Sequence, residues 1–484
     1  MRPATGRIDN DMRAFLGALV LEEDDMDEIR FIAATGSLGS GVAEDWLTMA
    51  LAHKPHFIAA DAGTTDAGAF FLGSGKTAYT RSALKRDLEI VLQAAQKVKV
   101  PVLIGSSGTA GADVHVELML ELAGEIAAEH AMRLKVATIF SEQDKDYLTR
   151  LHGEERIRAL YAAPEIDSGT FRRSTRVVGM MGVEPLQEAL KENVDLILAG
   201  RCSDPALYAA MPIMLGFPEG LAWHAGKVAE CGTQACTQPG RGVLCGTVRR
   251  DEFIIRACAD SPCTPQSIAA HSLYENGDPY LHKEASGMLD LSQAQYFEAE
   301  NQGVRVTGSL FAPAEQYTVK LEGAALAGYQ SIVIGGVRDP YIIRQLDDWL
   351  GKIEQSTHAS VAQLLGDQLK PGDYSLTFHI YGRNAIMGKL EPVAAVPPHE
   401  VGIVLEATAP TQEFATAIAK FARQPLLHQT IPEWRGSITG FACLHNPAEI
   451  ERGPVWRFNL NHVAVPRTKA EMFRTRIQQV GATA

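Results

Sequence analysis

The sequence predicts an α/β protein: a doubly wound, mainly parallel, Rossmann-like sheet in the N-terminal half and an α+β domain with a mixed or antiparallel sheet in the C-terminal half. Three observations carry this. Between residues 29 and 199 short apolar runs recur, most of them followed by a loop rich in Gly, Ser, Thr or Asp and then a helical stretch, the rhythm of strand, loop and helix. Near Gly240 the texture changes to β-branched, alternating runs. At 484 residues the chain exceeds one ordinary domain. The expected organisation is an acidic N-terminal extension over 1–28, an α/β domain over 29–240 and an α+β domain over 241–484.

The extension, residues 1–28, reads as an acidic lead-in helix that covers the body, with Glu22–Asp25 among its acids. Ile29–Ala34 then reads as a strand, Thr35–Gly41 as a glycine-rich loop and Val42–Ala52 as a helix. The loop lacks the G-x-G-x-x-G spacing of a dinucleotide site, which leaves a tight turn able to hold a carboxylate or phosphate on backbone N–H groups. Phe57–Ala60 is a second strand, leading into Asp61-Ala62-Gly63-Thr64-Thr65-Asp66. The following LGSGKT has Phe70 where a Walker A loop needs Gly and no strand directly before it, so an ATP site is rejected. Ser82–Lys97 is an amphipathic helix. Val100–Ile104 is a third strand, with Ser106 and Ser107 in its loop and Asp113 placed to cap the helix Val114–Glu129. Lys135–Ile139, Arg176–Met181 and Val194–Ala199 are the fourth, fifth and sixth strands. After the sixth come Arg201-Cys202-Ser203-Asp204 and Pro205, an N-cap followed by a preset first helical residue. A further helix, roughly Gly220–Cys231, puts His224, Lys227 and Cys231 on one face. Beyond Gly240, strands are expected at Gly242–Val248, Phe253–Ala257, Arg305–Ser309, Tyr317–Leu321, Ser331–Ile334, Ser375–Tyr381, Glu400–Glu406 and Arg457–Val463. Helices are expected at Pro340–Ile353 and Gln412–Arg423.

Composition narrows the function classes. A net charge of -13 argues against a general nucleic-acid binder. No apolar run approaches the length of a membrane span, and the N-terminus has no signal-peptide core. Seven cysteines without a compact framework suggest a reducing compartment, hence a cytoplasmic protein. Cys231 and Cys236, like Cys258 and Cys263, are five apart, and no Cys-x-x-Cys or His-x-x-x-His pattern completes a zinc set. No resident metal is therefore assigned, although a divalent ion on Asp61, Asp66 or Asp204 stays open. The absence of a G-x-S-x-G elbow disfavours an α/β-hydrolase.

Loops after the first, second, third and sixth strands pair small residues with an Asp, so a ligand can approach the backbone and meet acid–base groups in one crevice. Asp66, Asp113, Asp204, Lys227, His224 and Cys231 are the candidate catalytic groups. Gly36, Ser37, Asp61, Thr64, Thr65, Ser106, Ser107, Arg201, Glu230 and Gln234 are the candidate substrate-binding set. Arg201 either grips a substrate carboxylate in two parallel hydrogen bonds or pairs Asp204 or Glu230 structurally. Asp113 is either a base or a helix cap. Cys231, near a helix C-terminus that opposes thiolate formation, is either a nucleophile or proton carrier or a packing residue.

LILAGRCSDPALYAA (Leu196–Ala210) and GLAWHAGKVAECGTQA (Gly220–Ala235) resemble the acyclic terpene utilisation family, the AtuA-like proteins. TTDAG with LGSGK (Thr64–Lys76), GSSGTAGAD (Gly105–Asp113), SEQDK (Ser141–Lys145), MMGVEPL (Met180–Leu186) and LYENGDPYL (Leu273–Leu281) also match. The resemblance implies catabolism of branched or multiply carboxylated acids, with coenzyme A as part of the substrate rather than a separate cofactor. The function expected is a lyase of the hydratase type or an isomerase. It would act on a small acid or its coenzyme A thioester by abstracting a proton next to a carbonyl. Arg201 and the loop N–H groups would hold the anion, Asp66, Asp113 or Asp204 would act as base, and Lys227 or His224 as acid. The alternative is a non-catalytic binding or assembly subunit serving a partner carboxylase or hydratase. A homo-oligomer is compatible with the composition, as is a small partner subunit.

Overall fold

The computed structural model describes residues 27–393, 398–434 and 438–481. The lead-in expected over 1–28 lies outside these, apart from Asp27 and Glu28. The chain forms a mixed α/β structure with several sheets. Its first compact unit comprises the chain up to Ala325 together with that from Phe458 onward, and its second is Leu326–Arg457.

In the first unit, strands β1 (Glu28–Ala33), β2 (Phe57–Asp61), β3 (Val102–Gly105), β4 (Arg133–Phe140) and β5 (Leu196–Ala199) lie side by side in the order β1-β2-β3-β5-β4. All four contacts among them are parallel. Their near-continuous apolar sequences follow from burial on both faces. Successive side chains point to opposite sides. Phe31, Phe57, Leu103, Ile139 and Ile197 enter one core, and Ile32, Ile58, Ile104, Val136 and Leu198 enter the other. Helices α1 (Glu44–Ala50), α2 (Arg81–Val98) and α3 (Asp113–Glu129) cover the second core, while α4 (Val183–Lys191), α5 (Ala206–Met214) and α6 (Glu219–Ala229) cover the first.

The sheet as a whole is mixed rather than mainly parallel. Gly242–Arg249, Phe253–Ala259, Gly303–Thr307 and Gln295–Ala299 extend it antiparallel beyond β1, and Arg474–Gly481 lies antiparallel on β4. Gly240 is thus where the same sheet passes from crossover-linked to antiparallel strands, which need only short connections. Arg176–Met180 is a strand as expected but leaves this sheet: its residues pair antiparallel with Lys320–Ala324. The parallel core therefore has five strands, not six. A smaller antiparallel sheet of Leu281–Glu284, Gly287–Asp290 and Leu310–Pro313 completes the region.

In the second unit Val401–Ala409 pairs antiparallel with Ser375–Tyr381 and with Tyr329–Val337. Every second residue of Val401–Ala409 is buried, the alternation of a sheet with one covered face. Helices Leu346–Leu365 and Gln412–His428 supply the cover, with Trp349, Ile353, Ile418 and Ala422 packed with Val333, Ile403 and Leu405. This is the α+β texture read from the sequence. The expected helix Pro340–Ile353 is two helices, Pro340–Arg344 and Leu346–Leu365.

Candidate active site

The loops after β2, β3 and β5 meet at the carboxyl ends of adjacent strands, where parallel sheets place ligands. They approach backbone to backbone. A Cβ added at Gly111 would stand 2.1 Å from the Arg201 nitrogen, and only glycine permits that contact. The Arg201 N–H donates to Ser141 Oγ at 2.7 Å and to the Gly111 carbonyl at 3.2 Å.

Arg201 is buried. Its Nε donates to Glu322 Oε2 at 2.9 Å, and its Nη1 donates to Ser106 Oγ and the Cys202 carbonyl at 3.1 Å each and to Asp204 Oδ1 at 3.5 Å. Thr65 Oγ1 donates to the same Glu322 oxygen at 2.9 Å, and Lys320 Nζ stands 3.1 Å from the other. Burial opposes charge on Glu322, but Arg201 and Lys320 outweigh it and hold its carboxyl at about 2. The guanidinium is thus engaged by the protein's own carboxylates, the structural one of the two roles open to it from the sequence.

Asp204 does not cap α5. Pro205 occupies the cap position without a side-chain bond, and the Asp204 carboxylate is left facing Arg201. Burial raises it to about 6 against the pull of Arg201. Asp61, at the end of β2, is also buried and raised, first by burial and then by Asp204, because two neighbouring carboxylates resist ionising together. From α6, Lys227 Nζ donates to Glu230 Oε1 at 2.5 Å. Burial lifts Glu230 to about 8, whereas the attraction of Glu230 overcomes burial and keeps Lys227 charged. From the small sheet, Glu284 accepts from Ser203 Oγ at 2.8 Å and is lifted by burial to about 8. Asp66, Arg201, Asp204, Lys227, Glu230 and Glu284, with Glu275, Asp278, His282 and Lys283, line one cavity of about 550 Å³. Acids outnumber bases in it. Carboxyl groups titrating near neutrality in one cavity can give and take protons at cellular pH.

The expected residues therefore separate. Asp61, Thr65, Asp66, Ser106, Arg201, Asp204, Lys227 and Glu230 come together. Thr64 donates to Asp66 at 2.6 Å, beside them, and Ser107 is buried in the neighbouring loop. Gly36, Ser37, Cys231 and Gln234 line a different cavity of about 850 Å³ with the loop after β1. Burial raises the Cys231 thiol, which keeps it protonated. In that loop the N–H groups of Gly39 and Gly41 donate at 2.8 Å, and that of Val42 at 3.0 Å, to Asp87. The glycine-rich turn does bind a carboxylate, and it is the protein's own. His224 is fully buried between Ser309 Oγ at 2.7 Å and Ser272 Oγ at 2.9 Å, and burial lowers it to about 3. Asp113 stands in the first turn of α3, where it accepts from Glu142 N at 3.2 Å and pairs Arg474 at 2.5 Å. The LGSGKT stretch, rejected as an ATP site, begins within a short helix, Phe70–Ser74.

Glu284 and Glu322 are the groups that sequence reasoning missed. Glu322 alternates with Lys320 along a strand, which reads as a solvated polar face. The signal available was two opposite charges two residues apart in an otherwise apolar run. Glu284 lies three residues beyond LYENGDPYL (Leu273–Leu281), a stretch that carried the resemblance but no assigned role.

Among the described residues no group of three or more His, Cys, Asp or Glu side chains is arranged to hold a metal ion, and no helix is long and apolar enough to cross a membrane. No curated protein and no solved structure matches the chain. Residues 43–239, which supply Asp61, Asp66, Arg201, Asp204, Lys227 and Glu230, match the model of the family described as acyclic terpene utilisation family protein AtuA.

Proposed function

We propose that the acid-lined cavity is the active site of a catabolic enzyme that moves a proton on the carbon next to a carbonyl, in the manner of a hydratase or an isomerase. The observation that carries this reading is the set of carboxyls on one cavity wall, the half-buried Asp204 at about 6, the buried Glu230 at about 8 and the half-buried Glu284 at about 8, beside a charged Lys227. Groups poised near the working pH are those that both accept and return a proton efficiently. The same electrostatics choose among substrates. With Arg201 engaged by Glu322 and Asp204, and acids in excess, the cavity repels a free di- or tricarboxylate. It suits a neutral acyl group, such as a thioester, whose carbonyl oxygen accepts a hydrogen bond from a protonated carboxyl or from Lys227. A substrate carboxylate held by Arg201 would require Glu322 to be displaced.

The test is solvent deuterium exchange into small acids, enoic acids and their thioesters by the purified protein. The reading predicts exchange next to the carbonyl of a thioester and little with the free acid. Tight binding of a thioester without exchange or turnover would replace this reading with a non-catalytic binding subunit.

A further inference from the structure

The acid cavity has a neighbour of opposite character. A second cavity, also about 550 Å³, is lined by Leu160, Met181, Met288, Ala312, Pro313 and Val463 among others. The two share Met180, Ser203, Lys283 and Glu284, so they lie on either side of a common wall made by these four side chains. One side of that wall carries Asp204, Lys227 and Glu230, and the other carries aliphatic and thioether side chains. A molecule lying across both must be polar at one end and hydrocarbon at the other. Its polar-to-apolar boundary falls at the wall, where Ser203 holds Glu284 by the 2.8 Å hydrogen bond to its Oε2. In an acyl compound that boundary is the bond between the carbonyl carbon and the next carbon of the chain.

We propose that the substrate is an acyl compound with an aliphatic chain, its carbonyl in the acid cavity and its chain in the apolar one, and that Glu284 is the catalytic residue that exchanges the proton on the carbon next to the carbonyl. The inference rests on the proton-transfer reading and deepens it. In the step, the Glu284 carboxylate takes the proton. The C–H electron pair becomes the carbon–carbon π bond of the enolate, and the carbonyl π pair moves onto oxygen, which faces Lys227 and Glu230. Return of the proton from Glu284 to carbon reverses each change, so no other reactant is needed. Apolar burial of the chain supplies affinity that grows with its length, about fourfold per added methylene.

The test uses N-acetylcysteamine thioesters from acetyl through butanoyl and hexanoyl to octanoyl. Binding is read by calorimetry and exchange by mass spectrometry in deuterium oxide. The expected result is affinity rising about fourfold per methylene until the pocket fills. Ala312→Phe, an exposed position on the strand Leu310–Pro313, should flatten the rise beyond butanoyl. Glu284→Gln should keep the chain-length dependence of binding while exchange falls at least a hundredfold. Affinity independent of chain length, or exchange undiminished in Glu284→Gln, overturns the inference. Exchange absent from the unaltered protein with every member, while affinity still rises with chain length, instead sinks the proton-transfer reading and with it the role of Glu284, leaving the chain pocket standing.

Discussion

Two glycine-rich regions at the carboxyl ends of strands in one sheet have opposite chemical fates. The loop after β1 has the features usually taken for an anion site, small residues with exposed N–H groups at a helix start, yet three of those N–H groups close on Asp87 from α2. The loops after β2, β3 and β5 bring Arg201, Asp204 and Asp61 into a space where Glu322 neutralises the arginine and the remaining carboxyls are left short of counter-charge. A loop's composition shows what its backbone could bind. Whether it binds a ligand depends on which of the protein's own groups arrives first, often from a distant part of the chain.

The largest effect expected from breaking this contrast is Arg201→Ala. It leaves the buried Glu322 with Lys320 as its one remaining charged partner, and loss of one partner of a buried pair costs about 3–5 kcal/mol in urea unfolding at neutral pH. The pH dependence sharpens the point. Because the folded-state value of Glu322 is about 2 against an ordinary 4.5, the pair's stabilisation is full above pH 4.5 and is lost as pH falls towards about 2. The variant should show a shallower acid limb, because Lys320 still pairs Glu322. Asp87→Ala comes next, at about 2–3 kcal/mol, since it leaves buried N–H donors unsatisfied. It also converts the β1 loop into a vacant anion site, so inorganic phosphate should raise the melting temperature of the variant and not of the unaltered protein.

How much of this was legible in the chain differs between the two regions. The strand–loop–helix units around both were readable because apolar runs and turn residues are local signals, and five of the six expected strands do form the parallel core. What lay beyond local reading came from elsewhere in the sequence. Asp87 looks like one more polar position on an amphipathic helix, and Glu322 looks like a solvent-facing residue on an alternating strand. Gly242–Arg249 was read as the start of a new domain, because a run of β-branched residues does not say which edge it will join. Arg201, Asp204, Lys227 and Glu230 were legible as a group because they lie within thirty positions of one another around a strand end and two helices. The pairing of Arg201 was not, since it depends on a glutamate more than a hundred residues away.

A moderate effect is expected on the acid-cavity side. A carboxyl raised in the folded state binds its proton more tightly there than in the unfolded chain. Stability therefore falls as pH rises from the ordinary glutamate value of 4.5 through about 8, by at most about 1.4 kcal/mol per pH unit for each such group. Glu230→Gln should flatten that slope and be more stable than the unaltered protein at the alkaline end. The smallest effect belongs to Asp113→Asn. Its bond to Arg474, which is 70% exposed, contributes at most about 1 kcal/mol, and the change should leave deuterium exchange untouched.

The most direct test of the central claim is a carbon-13 NMR titration of the glutamate and aspartate carboxyls, with Glu230→Gln and Glu284→Gln to assign the signals. Two glutamate carboxyls should titrate near pH 8, one disappearing in each variant, with an aspartate near pH 6. If every carboxyl has ionised by about pH 5, the range of ordinary solvated groups, the acid cavity holds no proton to give at neutral pH and the account is contradicted.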